Sequence, residues 1–489
     1  MPHTTHLARV YRPDFGLLTD LYQLTMAAGY YDRGMHNRRA IFHLFYRKPP
    51  FGGKYAIATG QALAADIIRG LRFSADDVQY LGRLKGADGQ PLFREPFLNY
   101  LQRLRFSGDV LAMPEGSRVY PHEPILRVEA SLVEAQLLET ALLNVINFST
   151  LITTKAARIR AAAGRDTVLE FGLRRAQGPD GGLAASRAAY LGGCDATSNV
   201  WAGRYYGIPV KGTHAHSWVM SFPTEDEAFA AYAAAMPNNC ILLVDTYDTE
   251  AGVRRAIRAG QELRARGHEL LGVRLDSGDL AELSKVARRL LDEGGFPDAK
   301  IVASDSLDEN AIRDLKARGA RIDVWGIGTK LATAYDQPAL GGVYKLAAIQ
   351  NAAGAWEDRI KRSDTPIKTS YPGRLNVNEL AFFERGQAIL GANRMLYNEF
   401  DGAPGRAYVA MGQDTPAELP PDVRPFRDLL QPLFTAGEFV GEERSLADIR
   451  ESIIAQEKTQ PAIYPNDDYR IVDRRLYDRR QRLLDHPPA

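Results

Sequence analysis

The sequence predicts an α/β protein centred on a run of β-α units that carry a parallel sheet, open or closed into a barrel. Three observations predict it. Between Thr167 and Thr329, short apolar runs alternate with helix-length amphipathic stretches. Each strong run ends in glycine, polar or charged residues, as strands do when their ends meet on one functional face. The flanking regions read differently, as alternating strands joined by turn-rich connections.

Taken in order, residues 17–31 have helical apolar spacing, and 40–46 alternate like a strand before the turn-rich Lys48-Pro49-Pro50-Phe51-Gly52-Gly53. Pro114, Gly116, Pro121 and Pro124 break 109–128 into short strands. Leu132, Ala135, Leu138, Leu142, Val145 and Ile146 recur at three- and four-residue spacing, which predicts a long helix over 131–163 bridging two domains. The central strands are expected at 168–171, more weakly 196–200, then 208–210, 241–244, 270–273, 301–303 and 324–327. Amphipathic helices are expected at 225–235, where Thr224 and Glu227 form a capping-box pattern, and at 250–266. Strands return at 343–349, 356–361 and 379–383, and the chain from about Ser445 reads as charged and helical.

A chain of 489 residues implies two or three domains. Its 61 basic and 60 acidic side chains argue against a general nucleic-acid or membrane-surface binder. No stretch approaches the roughly 20 apolar residues of a membrane span. Residues 1–11 are polar, without the apolar core of a secretion signal, and the expected location is the cytoplasm. Cys194 and Cys240 form no C-x-x-C pair, so they read as two buried thiols, with one disulfide as the alternative.

The strand ends carry the chemistry. Gly328 and Thr329 offer unhindered backbone N–H groups, and Ser304 and Ser306 offer hydroxyls on the next strand end, together suiting a phosphate. The bland alternative is a tight turn that needs glycine. Arg274 and Asp276 share one side of an extended strand, as a substrate-binding pair or a structural ion pair. His214 and His216 could be metal ligands, or one could be a nucleophile or acid/base group. Phe171, Arg174 and Arg175 suit a flat anion, or are a core phenylalanine beside solvated arginines. Local sequence leaves each choice open.

Several ordered motifs together are more specific than any one. Thr19-Asp20-Leu21-Tyr22-Gln23-Leu24-Thr25-Met26, Arg47 to Gly53, Glu170 to Gly178, Gly212-Thr213-His214-Ala215-His216-Ser217, Gly272 to Asp279 and Gly326-Ile327-Gly328-Thr329 resemble the nicotinate phosphoribosyltransferase family, over about Phe15 to at least Gly373. The resemblance implies an incomplete β/α barrel over 131–340. Beside it would lie an open α/β sandwich domain built from 1–130 and 341–440, with a C-terminal helical tail over 441–489.

It also implies a homodimer with sites at its interface. The reaction implied joins nicotinate to 5-phosphoribosyl 1-pyrophosphate in the salvage route of NAD biosynthesis, with Mg2+ and with ATP as co-substrate. Phe171 would stack on the pyridine ring, with Tyr22 of a second subunit opposite. Arg174, Thr213 and Ser198 would lie beside nicotinate. His216 would become a transient phosphohistidine. Arg274 and Asp276 would line the phosphoribosyl pyrophosphate site, with Ser304, Asp305, Gly328 and Thr329 as its phosphate cradle and Thr369 reaching the same substrate.

His214 departs from the family pattern, where an apolar residue is expected. The metal ligands are left open. The rival readings are a nicotinamide-specific cousin, in which Asp195 or Ser198 would decide, a non-catalytic phosphate-ligand sensor, and a Schiff-base aldolase using Lys211 or Lys330.

Overall fold

The short apolar runs of the middle region are strands, and they pair in parallel. Their order is Ala196–Thr197, Thr167–Glu170, Val324–Ile327, Lys300–Ala303, Gly272–Leu275 and Ile241–Leu243. Val168, Leu242, Val273, Ile301 and Ile327 are fully buried, as a sheet covered on both faces requires. The covering helices turn their apolar stripes inward: Val253, Ala256 and Leu263 from Thr249–Ala265, and Ala281, Ala287 and Leu291 from Leu280–Glu293.

The computed structural model describes residues 14–363, 365–384, 387–458 and 470–486. They fall into two units, one within Met1–Thr150, Leu340–Arg444 and Thr459–Ala489, the other Leu151–Ala339 with Ser445–Lys458. The parallel sheet belongs to the second unit and is an incomplete barrel. Its two outer strands are Ala196–Thr197 and Ile241–Leu243. The expected strand at 208–210 is reduced to one parallel bridge between Thr197 and Val210. Among the described residues no backbone hydrogen bond joins that segment to Ile241–Leu243, so the barrel has an open seam there.

Boundaries shift for local reasons. The weak strand at 196–200 stops after Thr197, because Asn199 accepts from the backbone N–H groups of Trp201 and Ala202 and starts a helix. Asp248, Asp279 and Asp308 likewise cap the helices that follow their strands, each worth about 1 kcal/mol. Thr224 accepts from the Glu227 N–H as expected, but the reciprocal bond of a full capping box forms at Ser74 and Asp77 instead. The helix expected over 131–163 is two helices, Leu132–Leu137 and Glu139–Ala163, and the boundary between units falls inside the second, after Thr150.

The first unit holds two larger sheets. One has seven antiparallel strands in the order Trp356–Asp358, Val343–Gln350, Arg39–Phe45, Leu126–Ser131, Asp109–Ala112, Gln431–Thr435, Glu438–Phe439. The other has six strands from 375–473. The final segment, expected to be a helical tail, is more divided. Leu446–Lys458 belongs to the barrel unit, Arg470–Asp473 enters the six-stranded sheet between Gln387–Asn398 and Ala407–Ala410, and Arg474–Asp485 is helical.

Gly252 tests the packing of helix on barrel. A Cβ there would stand 2.1 Å from the Val244 carbonyl oxygen. Alanine is about 1 kcal/mol the better helix former, so Gly252→Ala would stabilise the protein if space allowed. The expected outcome is a net loss of about 1–3 kcal/mol from overpacking, read as a fall in Tm; a rise would show that the helix can move away from the strand.

Candidate active site

Arg274 is where the polar strand ends converge. It lies on Gly272–Leu275 with a side chain 13% exposed. Its Nε donates to Ser304 Oγ at 2.8 Å, Nη1 to Thr213 Oγ1 at 3.0 Å and Nη2 to Asp276 Oδ1 at 2.9 Å. The guanidinium carbon stands 5.8 Å from the centroid of the Phe171 ring. A rigid fork of donors thus ties three strand-end segments together, which a flexible ammonium could not do.

Asp276 is held anionic. Burial pushes its carboxyl up, but the Ser304 hydroxyl, in a short contact, and the charge and hydrogen bond of Arg274 outweigh that and hold it below its ordinary value. Its Oδ2 faces His216 Nε2 at 3.6 Å, while His216 Nδ1 lies 3.1 Å from Thr246 Oγ1. The His216 side chain is 40% exposed and thus open to a ligand. Asp245 Oδ2 accepts from the Asp276 N–H at 2.7 Å and from Ser277 Oγ at 2.6 Å. Its Oδ1 is buried with no hydrogen-bond partner. Among the described residues no group of three His, Cys, Asp or Glu could hold a metal. The unsatisfied Asp245 oxygen beside Asp276 does fit a hard cation that keeps part of its water shell.

Phe171 follows the Thr167–Glu170 strand and is half-buried. Gly326, on the strand paired with Thr167–Glu170, makes room for it: a Cβ there would stand 2.8 Å from the ring. Arg174 is exposed on the one-turn helix Leu173–Arg175. Ser198 is half-buried at the end of Ala196–Thr197, where its N–H donates to the Glu170 carbonyl at 2.9 Å. Ser304 is buried, and its N–H donates to the Leu275 carbonyl at 2.9 Å. Asp305 and Ser306 follow with φ of 93° and 49°, a strained pair for residues with side chains. Gly328 and Thr329 form the turn after Val324–Ile327.

This arrangement has close relatives. Residues 17–147 match the model of the nicotinate phosphoribosyltransferase N-terminal domain, and 167–380 match that of the nicotinate phosphoribosyltransferase family. A nicotinate phosphoribosyltransferase of Bacillus subtilis is 51% identical over 362 residues, 74% of this chain and 72% of that one. The chain belongs to the nicotinate phosphoribosyltransferase family. A relative of the same name from Dictyostelium discoideum is 41% identical over 73% of this chain and 67% of its own. The crystal structure of human nicotinic acid phosphoribosyltransferase superposes with a TM-score of 0.79 at 32% identity, covering 96% of this chain and all of that one.

The second unit places Phe171, Arg174, Ser198, Thr213, His216, Arg274, Asp276, Ser304, Asp305, Gly328 and Thr329 at or after the ends of its strand runs, and direct contacts join Phe171, Thr213, His216, Arg274, Asp276 and Ser304. Tyr22 and Thr369 belong to the first unit; Tyr22 is 50% exposed on Leu21–Asp32, and Thr369 is buried. The two histidines part company. His214 is buried and His216 is open. Lys330 pairs with Asp308 at 2.7 Å rather than standing ready as a Schiff-base amine. Asp195 pairs with Arg160 at 3.1 Å and Arg450 at 2.7 Å and accepts from the Val168 N–H at 2.9 Å, so both its oxygens are engaged.

Several further residues, inconspicuous in the sequence, support the site. Glu170 is buried, accepts from Ser186 Oγ at 2.9 Å and Thr197 Oγ1 at 2.6 Å, and is in short contact with the Gly172 N–H. It anchors the turn that carries Phe171 and Arg174. Asp245 and Thr246 hold Asp276 and His216. Their signal was present in the polar end of the 241–244 run. In the first unit, burial and the charges of Arg47 and Lys361 push the Lys345 ammonium down, against the opposing effect of Glu139.

Removing the Ser304 hydroxyl tests the electrostatics. Asp276 titrates below its unfolded value, so its contribution to stability is complete above that value and is lost as pH falls through the lowered one. Ser304→Ala should raise the Asp276 titration, followed by carboxyl 13C NMR, and move acid-side destabilisation to higher pH. An unchanged titration would mean that Arg274 alone sets the charge.

Proposed function

We propose that this protein forms nicotinate mononucleotide and pyrophosphate from nicotinate and 5-phosphoribosyl 1-pyrophosphate, coupled to ATP through His216, as a step of NAD biosynthesis in the cytoplasm. The observation that carries the reading is the Arg274 fork, which holds Thr213, Asp276 and Ser304 around an open His216 and beside the Phe171 ring.

Phe171 is the floor for the pyridine ring, kept in place by the space at Gly326. Arg174, with Thr213 and Ser198 nearby along the strand ends, receives the carboxylate. Ser304, Asp305, Gly328 and Thr329 meet the ribose phosphate, and Thr369 reaches the same substrate. The pyridine nitrogen attacks C1 of the ribose as pyrophosphate departs. Catalysis is mostly placement and charge stabilisation, so few acid/base groups are needed. Asp245 and Asp276 would hold Mg2+ through its water shell. When bound, that ion neutralises pyrophosphate charge.

Asp276 opposite Nε2 favours the proton there, leaving Nδ1 of His216, met by the Thr246 hydroxyl, as the nucleophile toward the γ-phosphoryl group of ATP. The acid is favoured over the amide because Asp195, the carboxylate available to recognise an amide, is already paired twice. Exposed Leu17, Leu18, Leu21, Tyr22 and Met26, and separately Val200, Trp201 and Tyr205, support a homodimer in which Tyr22 of a second copy faces the pyridine. No helix among the described residues is long and apolar enough to cross a membrane, and both cysteines are buried and unpaired.

The test is mononucleotide formation with nicotinate or nicotinamide, with and without ATP. The expected result is product from the acid, increased by ATP. His216→Ala should lose the ATP effect and keep slow basal transfer. Equal stimulation in that variant would remove His216 from the mechanism, and product from the amide alone would reassign the substrate. Phe171→Ala should raise KM for nicotinate about tenfold, the loss of roughly 1.4 kcal/mol of stacking and contact; an unchanged KM would place the pyridine elsewhere.

A further inference from the structure

The open barrel seam leaves Ile241–Leu243 as an edge strand. Leu243, at the end of Ile241–Leu243, is 1% exposed and its inner neighbour in register is Arg274. Its N–H points the other way and donates to His214 Nε2 at 3.1 Å. A side chain therefore stands where the next strand of a closed barrel would be. The ring is packed edge-on against Tyr232, centroids 4.7 Å apart, and more loosely against Phe229 at 6.3 Å.

That bond dictates the state of the imidazole. Nε2 must present a lone pair to the Leu243 N–H, so the proton sits on Nδ1, which lies 3.3 Å from the Ala215 carbonyl. Burial, and then the charges of Arg274 and His216, hold the ring below its ordinary pKa against the opposing Ala215 hydrogen bond. Both ring nitrogens are thus in use, which leaves neither for a metal or a phosphoryl group.

The residues on either side of this contact are the ones that hold the site. Thr213, just before His214, takes a hydrogen bond from Arg274 and passes its own to the His214 carbonyl at 3.0 Å. His216 lies two residues after. Across the seam, Asp245 and Thr246 follow Leu243 by two and three residues and hold Asp276 and the His216 ring. We infer that His214 is a positioning residue: as a neutral acceptor it pins the 213–216 segment to the edge strand and so sets His216 against Thr246 and Asp276. His214 thus has a place in the mechanism without touching substrate. The inference rests on the reading of His216 as the phosphoryl acceptor.

The test compares His214→Leu, which keeps an apolar body and removes the acceptor, with His214→Gln, whose Oε1 can take the place of Nε2. Two quantities are read in the full-length protein: hydrogen exchange at the Leu243 amide by mass spectrometry, and the rate of phosphohistidine formation from labelled ATP. His214→Leu should speed exchange and slow phosphorylation, each about tenfold or more, as an unsatisfied buried donor implies. His214→Gln should bring both back to within about threefold of the parent. The proposal is overturned if Leu243 stays protected in His214→Leu, if phosphorylation proceeds at the parent rate while the amide is exposed, or if Gln does no better than Leu. Should the unsubstituted protein form no phosphohistidine, the reading of His216 fails on its own account. The His216 ring signal in 1H–13C NMR then replaces it as second readout: a shift in His214→Leu that reverses in His214→Gln supports the pin, and an unmoved signal overturns it.

Discussion

One guanidinium organises the second unit. Arg274 is mostly withdrawn from water, and a buried cation is tolerated only with partners in good geometry. Its partners come from three different strand ends: Thr213, Asp276 and Ser304. Each would otherwise be a polar side chain at the rim of an apolar sheet. Asp276 neutralises the arginine, the two hydroxyls accept from its Nε and Nη1, and the arginine fixes their separation. The anionic Asp276 that results is what faces His216, and the edge of the same fork lies over the Phe171 ring. Phosphate cradle, pyridine floor and histidine therefore share one reference point, which suits a reaction driven by placement more than by proton transfer.

The polar residues at the strand ends do two jobs, and only the structure separates them. Asp248, Asp279 and Asp308 look, in sequence, as functional as Asp245 and Asp276. They are helix caps, each accepting from backbone N–H groups at the start of the following helix. Asp245 and Asp276 precede them by three residues and face the site instead. The pattern of strand, polar pair, cap and helix was legible. The partition was not, because it depends on where each helix begins, which sequence periodicity locates only within a few residues.

The parallel character of the sheet follows from its short apolar runs alternating with helices, and the strand at 324–327 lies where the sequence places it. The seam did not follow from them. The 208–210 run has the composition of a strand but pairs on one side only, through Thr197 and Val210. Glu170 was equally hidden. A carboxylate beside a core phenylalanine reads as a strand end, and its hydrogen bonds come from Ser186 and Thr197, 16 and 27 residues away. The C-terminal strand Arg470–Asp473 has too little apolar periodicity to stand out and is recruited by partners in two other segments of the chain. Contacts of that range are set by tertiary packing, not by local pattern.

The central claim is that the fork geometry of Arg274, beyond its charge, organises the site. Arg274→Lys keeps the charge and removes the planar fork. The decisive measurement is kcat/KM for mononucleotide formation by this variant, with Tm recorded alongside. Loss of one charge-assisted hydrogen bond is worth about 1.5–3 kcal/mol, so a fall of about tenfold to a hundredfold is expected while the protein remains folded. A kcat/KM within about threefold of the parent, a difference below 1 kcal/mol, would contradict it and leave the positive charge alone as the requirement.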